Sequence, residues 1–359
     1  MDMKQFKTKC KELSQQGVTI FSYSKLGSFK ECPHQYHLTY HKKLEGKENI
    51  YSYAGSKVHE TLEDIYHGKA DRIAMESVLN DIISDIDILD LRFPNDKIKD
   101  KWIADMVHYA KNFQVIGGEE FIIEEPFIFE ISDGIWLRGF IDNQKIDSDG
   151  RRYIIDWKTS SKFSGKKLKE SGRQLVIYKM AKESEGGDIY KTGWGMLKYV
   201  NFCFTQKNGR IKKKMCNRST WASECENYIV KFLDEEGYDE FDAHITVDEL
   251  LESGNIDVLP EEVQKRFWLE DCYVWYDVME KDEQEVVDYV TDICQSIASK
   301  DPEKEEDWPA KKIDNQSSFF CTFLCSHGGK TRNCEYYQRW LEDQSFQKDD
   351  DEDDDWLGL

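Results

Sequence analysis

The 359-residue sequence has no apolar run long enough to span a bilayer, and residues 1–20 lack the apolar core of a secretory signal. Its ten cysteines are therefore expected in a reducing cytoplasm, where clustered thiols serve more often as metal ligands than as disulfides. Positive charge is also short: 49 Lys and Arg face 70 Asp and Glu, for a net −21. That balance excludes a protein that coats nucleic acid without sequence or structure preference, while leaving room for a local basic groove. Seven of the negative charges lie in Asp349–Asp355, so the rest of the chain carries −14. There is no G-x-x-x-x-G-K-[ST] phosphate loop, which excludes a nucleotide-driven motor of that kind, and there is no internal repeat. What remains is globular, 39% hydrophobic and 13% aromatic, with enough chain for one large domain with insertions or two modest ones.

The most informative stretch runs from Arg138 to Thr159, R-G-F-I-D-N-Q-K-I-D-S-D-G-R-R-Y-I-I-D-W-K-T. Two strand-like runs, Ile135 through Ile141 and Tyr153–Ile155, flank an Asp149-Gly150 turn and predict a hairpin. The first run delivers Asp142 near its end and the second delivers Asp156, with Lys158 two residues on. Alternation on a strand puts Asp156 and Lys158 on one face and Trp157 on the other. Two carboxylates with an ammonium beside them suit hard-metal hydrolysis of phosphodiesters. The acids hold Mg²⁺ or Mn²⁺, and the lysine orients the attacking water or screens developing charge. An acid-x-Lys tripeptide alone is common, and Glu45–Lys47 is another; by itself it reads as a surface ion pair. The apolar run Tyr153–Ile155 weighs against that reading, because a charged pair at the mouth of a buried strand is poorly explained as solvated decoration.

Upstream, Ser22 or Ser24 is placed to cap a helix that Cys32-Pro33 interrupts. In Ala54–Gly68, Val58, Leu62, Ile65 and Tyr66 predict a buried helical stripe, beside which His59 and Glu63 lie together at i and i+4. A lone histidine there is more often a packing residue, but the downstream carboxylates make a metal-facing role worth testing. Residues 71–116 have amphipathic spacing and predict helices, either an insertion covering the site or plain core. A strand is expected over Phe121–Glu130. Lys166, Lys167, Lys169 and Arg173 form a basic approach to a helix carrying Gln174 and Tyr178, suited to a DNA backbone or simply solvated. Strands resume over Trp194–Thr205. A second basic island, Lys207, Arg210, Lys212, Lys213, Lys214 and Arg218, reads as a hairpin with a charged tip. Helices near Trp221–Leu233 and Gln284–Ala298 bracket a strand over Cys272–Val278.

Cys321, Cys325 and Cys334 cluster within F-F-C-T-F-L-C-S-H-G-G-K-T-R-N-C-E-Y-Y. Three thiols are one short of a closed tetrahedral site. His327 as fourth ligand would make a zinc site; Cys32 would make four thiolates and favour an iron-sulfur cluster. The remaining cysteines lack such spacing and are expected to be structural.

In chain order, Y-S-x-L-x-x-F-x-x-C-P-x-x-Y (Tyr23–Tyr36), G-x-x-x-H (Gly55–His59), G-x-I-D (Gly139–Asp142), I-I-D-x-K-T (Ile154–Thr159) and Q-x-x-x-Y (Gln174–Tyr178) resemble the RecB-type nucleases of the PD-(D/E)XK superfamily. The resemblance implies an α/β fold, a mixed central β-sheet flanked by helices, that cuts DNA with one or two divalent ions. It implies metal ligation by His59, Asp142 and Asp156, a catalytic Lys158, and supporting roles for Gln174 and Tyr178. Iron-sulfur members, AddB-like nucleases and CRISPR-adaptation exonucleases, place one cysteine before the core and three after it. Cys32, Cys321, Cys325 and Cys334 follow that order with longer gaps, which implies a [4Fe-4S] cluster stapling the chain's two ends. The expected layout is N-terminal helices over 1–70, a helical insertion over 71–118, a nuclease core over 119–206, an accessory α/β segment over 207–307, a cysteine segment over 308–345 and an acidic tail over 346–359. Its expected setting is the cytoplasm of a bacterium or a phage-infected cell, its expected role exonucleolytic in recombination, repair or replication. The tail, ending in Trp356, Leu357 and Leu359, is expected to be disordered and suits docking on a replication or recombination partner, shielding of the chain's own basic groove, or mere solubility. A DNA-binding or scaffold subunit that keeps the fold is the competing class, against which the complete set of Asp142, Asp156 and Lys158 weighs.

Overall fold

The computed structural model describes residues 1–314, 317–329, 331 and 333–344; the acidic tail lies outside the described residues. Seven strands form one mixed sheet: β1 (Ile20–Phe21), β2 (Glu120–Ser132), β3 (Ile135–Ile146), β4 (Arg152–Lys158), β5 (Lys191–Thr205), β6 (Ile211–Asn217) and β7 (Phe267–Tyr276). The predicted turn is present. Gly150 adopts φ +75, and the Asp147 carboxylate accepts the backbone N–H groups of Asp149 and Arg151. β3 runs five residues past the sequence expectation, so Asp142 sits inside the strand rather than near its end.

That extension shapes the site. Along one edge β3 pairs antiparallel with β2 throughout. Along the other it pairs with β1 at its start and with β4 only over Asn143–Ile146. The β3–β4 ladder stops at Asn143↔Ile155, and the next opposed positions in that register are Asp142 and Asp156. The two acids therefore stand where the strands fork, where backbone groups freed from the ladder become available to side chains. β4 is fixed from its other side by parallel pairing with β5, Asp156 against Trp194 and Lys158 against Met196.

Eleven helices carry labels here: α1 (Met3–Gln15), α2 (Tyr23–Glu31), α3 (Pro33–Tyr36), α4 (Ile50–Tyr66), α5 (Ile73–Ile88), α6 (Asp96–Asn112), α7 (Lys166–Ser184), α8 (Trp221–Glu235), α9 (Glu240–Ser253), α10 (Glu261–Gln264) and α11 (Glu280–Ala298). Ser22 caps α2, and Cys32 breaks the chain between α2 and α3 with extended backbone, as Cys32-Pro33 predicts. Strand alternation sends Ile154 and Ile155, both fully buried, to opposite faces of the sheet. Ile154 joins a core with α2, α7 and α11, including Leu175, Val176 and Val290. Ile155 and Trp157 pack under α4, α5 and α6 against Leu62, Met75 and Met106. Of the two readings of the helical segment at 71–116, core packing on one sheet face is the one seen here. A third core joins Val200 and Phe202 of β5 to α8, α9 and α10. Among the described residues no helix is long and apolar enough to cross a membrane.

Candidate active site

The α4 stripe buries Val58 and Leu62 and thereby turns His59 and Glu63 toward the fork. His59 Nε2 lies 3.0 Å from the Trp157 carbonyl oxygen, and Nδ1 lies 3.4 Å from Asp142 Oδ2. A carbonyl only accepts, so Nε2 carries the proton and donates to it. The neutral ring then turns the Nδ1 lone pair toward a carboxylate. A lone pair facing a carboxylate oxygen needs a proton or a cation to mediate. An imidazole whose other nitrogen is tied to a backbone carbonyl is the arrangement metal-ligating histidines adopt. The same Asp142 Oδ2 accepts the Trp157 N–H at 3.0 Å, one of the groups the fork frees from the ladder.

Asp156 is 1% exposed, and its Oδ1 is buried with no hydrogen-bond partner; its Oδ2 faces the Lys158 ammonium at 2.6 Å. An orphaned carboxylate oxygen at this depth is costly unless a cation completes it. Lys158 Nζ also donates to Gln174 Oε1 at 3.1 Å, and Gln174 Nε2 donates to the Tyr178 hydroxyl at 2.6 Å. Gln174 and Tyr178 share one face of α7 at i and i+4, so the helix holds the lysine through a two-step relay. Burial pulls the Lys158 pKa down, but Asp156 and Asp142 outweigh it and leave it above the ordinary value. Burial, then the Asp156 charge, pushes Asp142 up to about 8. Burial lowers His59, opposed by Asp156.

Two further acids belong to this group. Glu124 of β2 lies directly across from Asp142, between the pairs Ile123↔Asn143 and Glu125↔Ile141, and adopts φ +50. A left-handed glutamate inside a strand is strained, and such strain concentrates at functional sites. Burial and the charges of Asp142, Glu63 and Asp156 push Glu124 up to about 8. Glu63 is raised as well, first by burial. Glu63 was visible in the sequence as the i+4 neighbour of His59. Glu124 left no signal there, because its role depends on a cross-strand partner and a backbone conformation.

Of the basic residues singled out, Lys166, Lys167 and Lys169 are exposed on the first turn of α7. Arg173 is engaged instead: it grips Glu285 of α11, Nη2 to Oε1 at 2.8 Å, and stacks on Tyr289 at 3.9 Å.

Just past the C-terminal end of α2, Cys32 lines one cavity with Cys321, Cys325 and Cys334. The Lys311 N–H approaches Cys32 Sγ at 3.4 Å, and backbone N–H groups of 327 and 328 donate to Cys325 and those of 336 and 337 to Cys334. Gly328 and Gly329 are required here: a Cβ on Gly328 would lie 2.0 Å from the Cys321 carbonyl oxygen, and Gly329 adopts φ +46. His327 lines the cavity too, but both ring nitrogens are taken. Thr39 donates its hydroxyl hydrogen to the Gln35 carbonyl, so its oxygen accepts from His327 Nε2 at 2.9 Å, and Asn333 Nδ2 approaches Nδ1 at 3.5 Å. Among the described residues no three His, Cys, Asp or Glu side chains form a ready-made cage for a single ion, at either place.

A comparison with protein families matches residues 20–319 to the PD-(D/E)XK nuclease superfamily. The chain belongs to this superfamily. The match covers the sheet, the fork and Cys32, and ends just before Cys321. A comparison with curated proteins finds no match. The observed α/β sheet with flanking helices is the nuclease fold expected of such a member. The donor set at the fork fits a divalent ion on chemical grounds: one imidazole with its lone pair turned inward, and buried carboxylates, one with an orphaned oxygen.

Proposed function

We propose that this superfamily member is a Mg²⁺- or Mn²⁺-dependent deoxyribonuclease of the RecB type, acting exonucleolytically on DNA ends or single strands in recombination, repair or replication. The observation that carries the reading is the inward-turned His59 Nδ1 opposite Asp142, beside the orphaned Asp156 oxygen and the relay-held Lys158. His59, Asp142 and Asp156 would hold the ion, with Glu124 and Glu63 as neighbouring carboxylates. The ion supplies Lewis-acid activation of the phosphodiester and of water. Lys158, kept charged by the acids around it, presents an ammonium at the place where negative charge develops during hydrolysis. Gln174 and Tyr178 set its direction. The helices over Trp157 exclude water from the far side of β4, which strengthens each of these interactions.

We further propose that the four cysteines hold a [4Fe-4S] cluster, with zinc as the alternative. A zinc site of three thiolates and an imidazole is disfavoured because His327 is engaged by Thr39 and Asn333, and the choice between a cluster and a four-thiolate zinc rests on the cysteine order that the resemblance carries. Such a cluster would join α3 to the C-terminal segment, where Trp308 already stacks on Tyr36 and His37. Purified protein with Mn²⁺ or Mg²⁺ and end-labelled DNA tests the main reading. Release of nucleotides by the wild type and none by Asp156→Asn supports it; equal release by both refutes it.

A further inference from the structure

The second basic island was left unused by the site at the fork. Arg218 does not belong to its charged tip: it follows β6, is buried and pairs with Asp271. Lys207 to Lys214 lie past the far end of β5, in the turn and in β6. There the β5–β6 hairpin and α8 enclose an open groove of about 550 Å³. Its floor is aromatic: Phe204, Tyr228 and Phe267 form a contiguous cluster, with Phe204 and Tyr228 rings 4.9 Å apart. Tyr228 is 42% exposed, leaving its ring open to the groove. Its walls are cationic: Lys207, Lys212, Lys231 and Arg266 line the groove against one acid, Glu235, which pairs with Lys207 at 3.1 Å. Lys212 and Lys231 have no ion-pair partner among the described residues, and Arg266 Nε is buried without a hydrogen-bond partner while its guanidinium stacks on Phe232. In a chain of net charge −21, Lys212, Lys231 and Arg266 gathered beside the exposed Tyr228 ring and the half-buried Phe204 ring stand out.

We propose that this groove is a second nucleic-acid site, holding a single-stranded DNA segment by stacking a base on Tyr228 and Phe204 while Lys212, Lys231 and Arg266 contact its phosphates. Rings serve every base because every base has a π-face, and cations along the groove track the backbone; together they make the sequence-tolerant platform that single strands need. The location fits a strand that is threaded to the fork. β5 pairs with Lys158 at Met196, and Phe204 lies eight residues further on, roughly 26 Å at 3.3 Å per residue. A stacked strand covers that distance in about eight nucleotides at 3.4 Å each. The groove would therefore hold DNA that has not yet reached the cutting site or has been separated from it, so that the substrate class is a strand longer than about eight nucleotides. This identification of the substrate rests on the nuclease reading; the binding itself does not.

The test uses the full chain carrying Asp156→Asn, so that substrate is not consumed, and measures fluorescence anisotropy with labelled oligothymidylates of twenty and of six nucleotides. Tyr228→Ala should weaken binding of the longer oligomer roughly tenfold, the effect of losing one base stack. Lys212→Ala with Lys231→Ala should reduce the slope of log affinity against log salt by about 1.4, about 0.7 per lost phosphate contact. The six-nucleotide oligomer fills the groove but is too short to reach the fork as well, so the wild type should bind it more weakly than the longer one, and both changes should weaken it too. These side chains are exposed, and unchanged melting checks that the variants fold. Wild-type affinity and salt slope in these variants overturn the groove. So do carbodiimide crosslinks from Lys231 to the acids of 349–355 that persist under saturating oligomer, which would assign the groove to the chain's own acidic end. Wild-type protein that binds the long oligomer through Tyr228 yet cuts no DNA would support the groove and refute the nuclease reading.

Discussion

Asp142→Asn separates the metal reading from a purely structural one, because the two make opposite statements about pH. Asp142 is pushed from its ordinary 3.8 to about 8 by burial and by Asp156. A group whose folded pKa is raised above its unfolded value holds its proton more tightly in the native chain. In metal-free protein, stability from this group is present below about pH 4 and is lost as pH rises toward 8. One proton of difference is worth about 1.4 kcal/mol per pH unit, and the slope fades as the native group itself titrates near 8, so about 2 kcal/mol should disappear between pH 6 and 8. The asparagine keeps the shape without the proton and should remove that part of the slope, although Glu124, also near 8, contributes in the same direction and will leave a residue. Added Mn²⁺ must displace the Asp142 proton, so its stabilising effect in wild type should grow with pH up to about 8. At a hundredfold excess over its dissociation constant the ion should stabilise by about 2.7 kcal/mol, and the variant should lose most of this. Thermal unfolding from pH 6 to 9, with chelator and with Mn²⁺, measures all of it. Equal slopes in wild type and variant, or equal stabilisation by Mn²⁺, would refute the assignment of Asp142 as an ion-facing acid.

Three further outcomes are expected. Gln174→Ala should cut kcat about tenfold or more with little change in KM and little loss of stability, because it frees the Lys158 ammonium from the α7 relay without removing it; a change in KM alone would contradict this. Gly139→Ala should destabilise by about 1–3 kcal/mol, since a Cβ there would lie 2.8 Å from the Phe127 ring; Phe127→Leu in the same chain should recover part of the loss, and an unaltered melting temperature for Gly139→Ala would show that the ring yields freely. Protein purified without oxygen should be brown with broad visible absorbance, and Cys321→Ser should bleach it and lower the melting temperature; a colourless protein with one zinc per chain would replace the cluster with a zinc site.

The elements that depend on near neighbours were legible in the sequence. The Asp149-Gly150 turn, the strand on each side of it, the Ser22 cap and the break at Cys32-Pro33 follow from local backbone preference and alternation, and they put Asp156 and Lys158 on one face unaided. The i, i+4 spacing of Gln174 and Tyr178 likewise carries their contact. α9 was missed because it buries only Val247 and Leu250, too thin a stripe to stand out. What tertiary structure alone decided is how far the β3–β4 pairing runs, and with it the fork at which Asp142 meets Asp156. It also decided that His59 reaches that fork from α4, that Glu124 is twisted into the left-handed region opposite Asp142, and that Glu285 captures Arg173. Periodicity records which face a residue takes within its own element. The partner across a sheet or between helices is chosen by packing of segments up to three hundred residues apart, as with Cys32 and Cys334, and no local pattern encodes that choice.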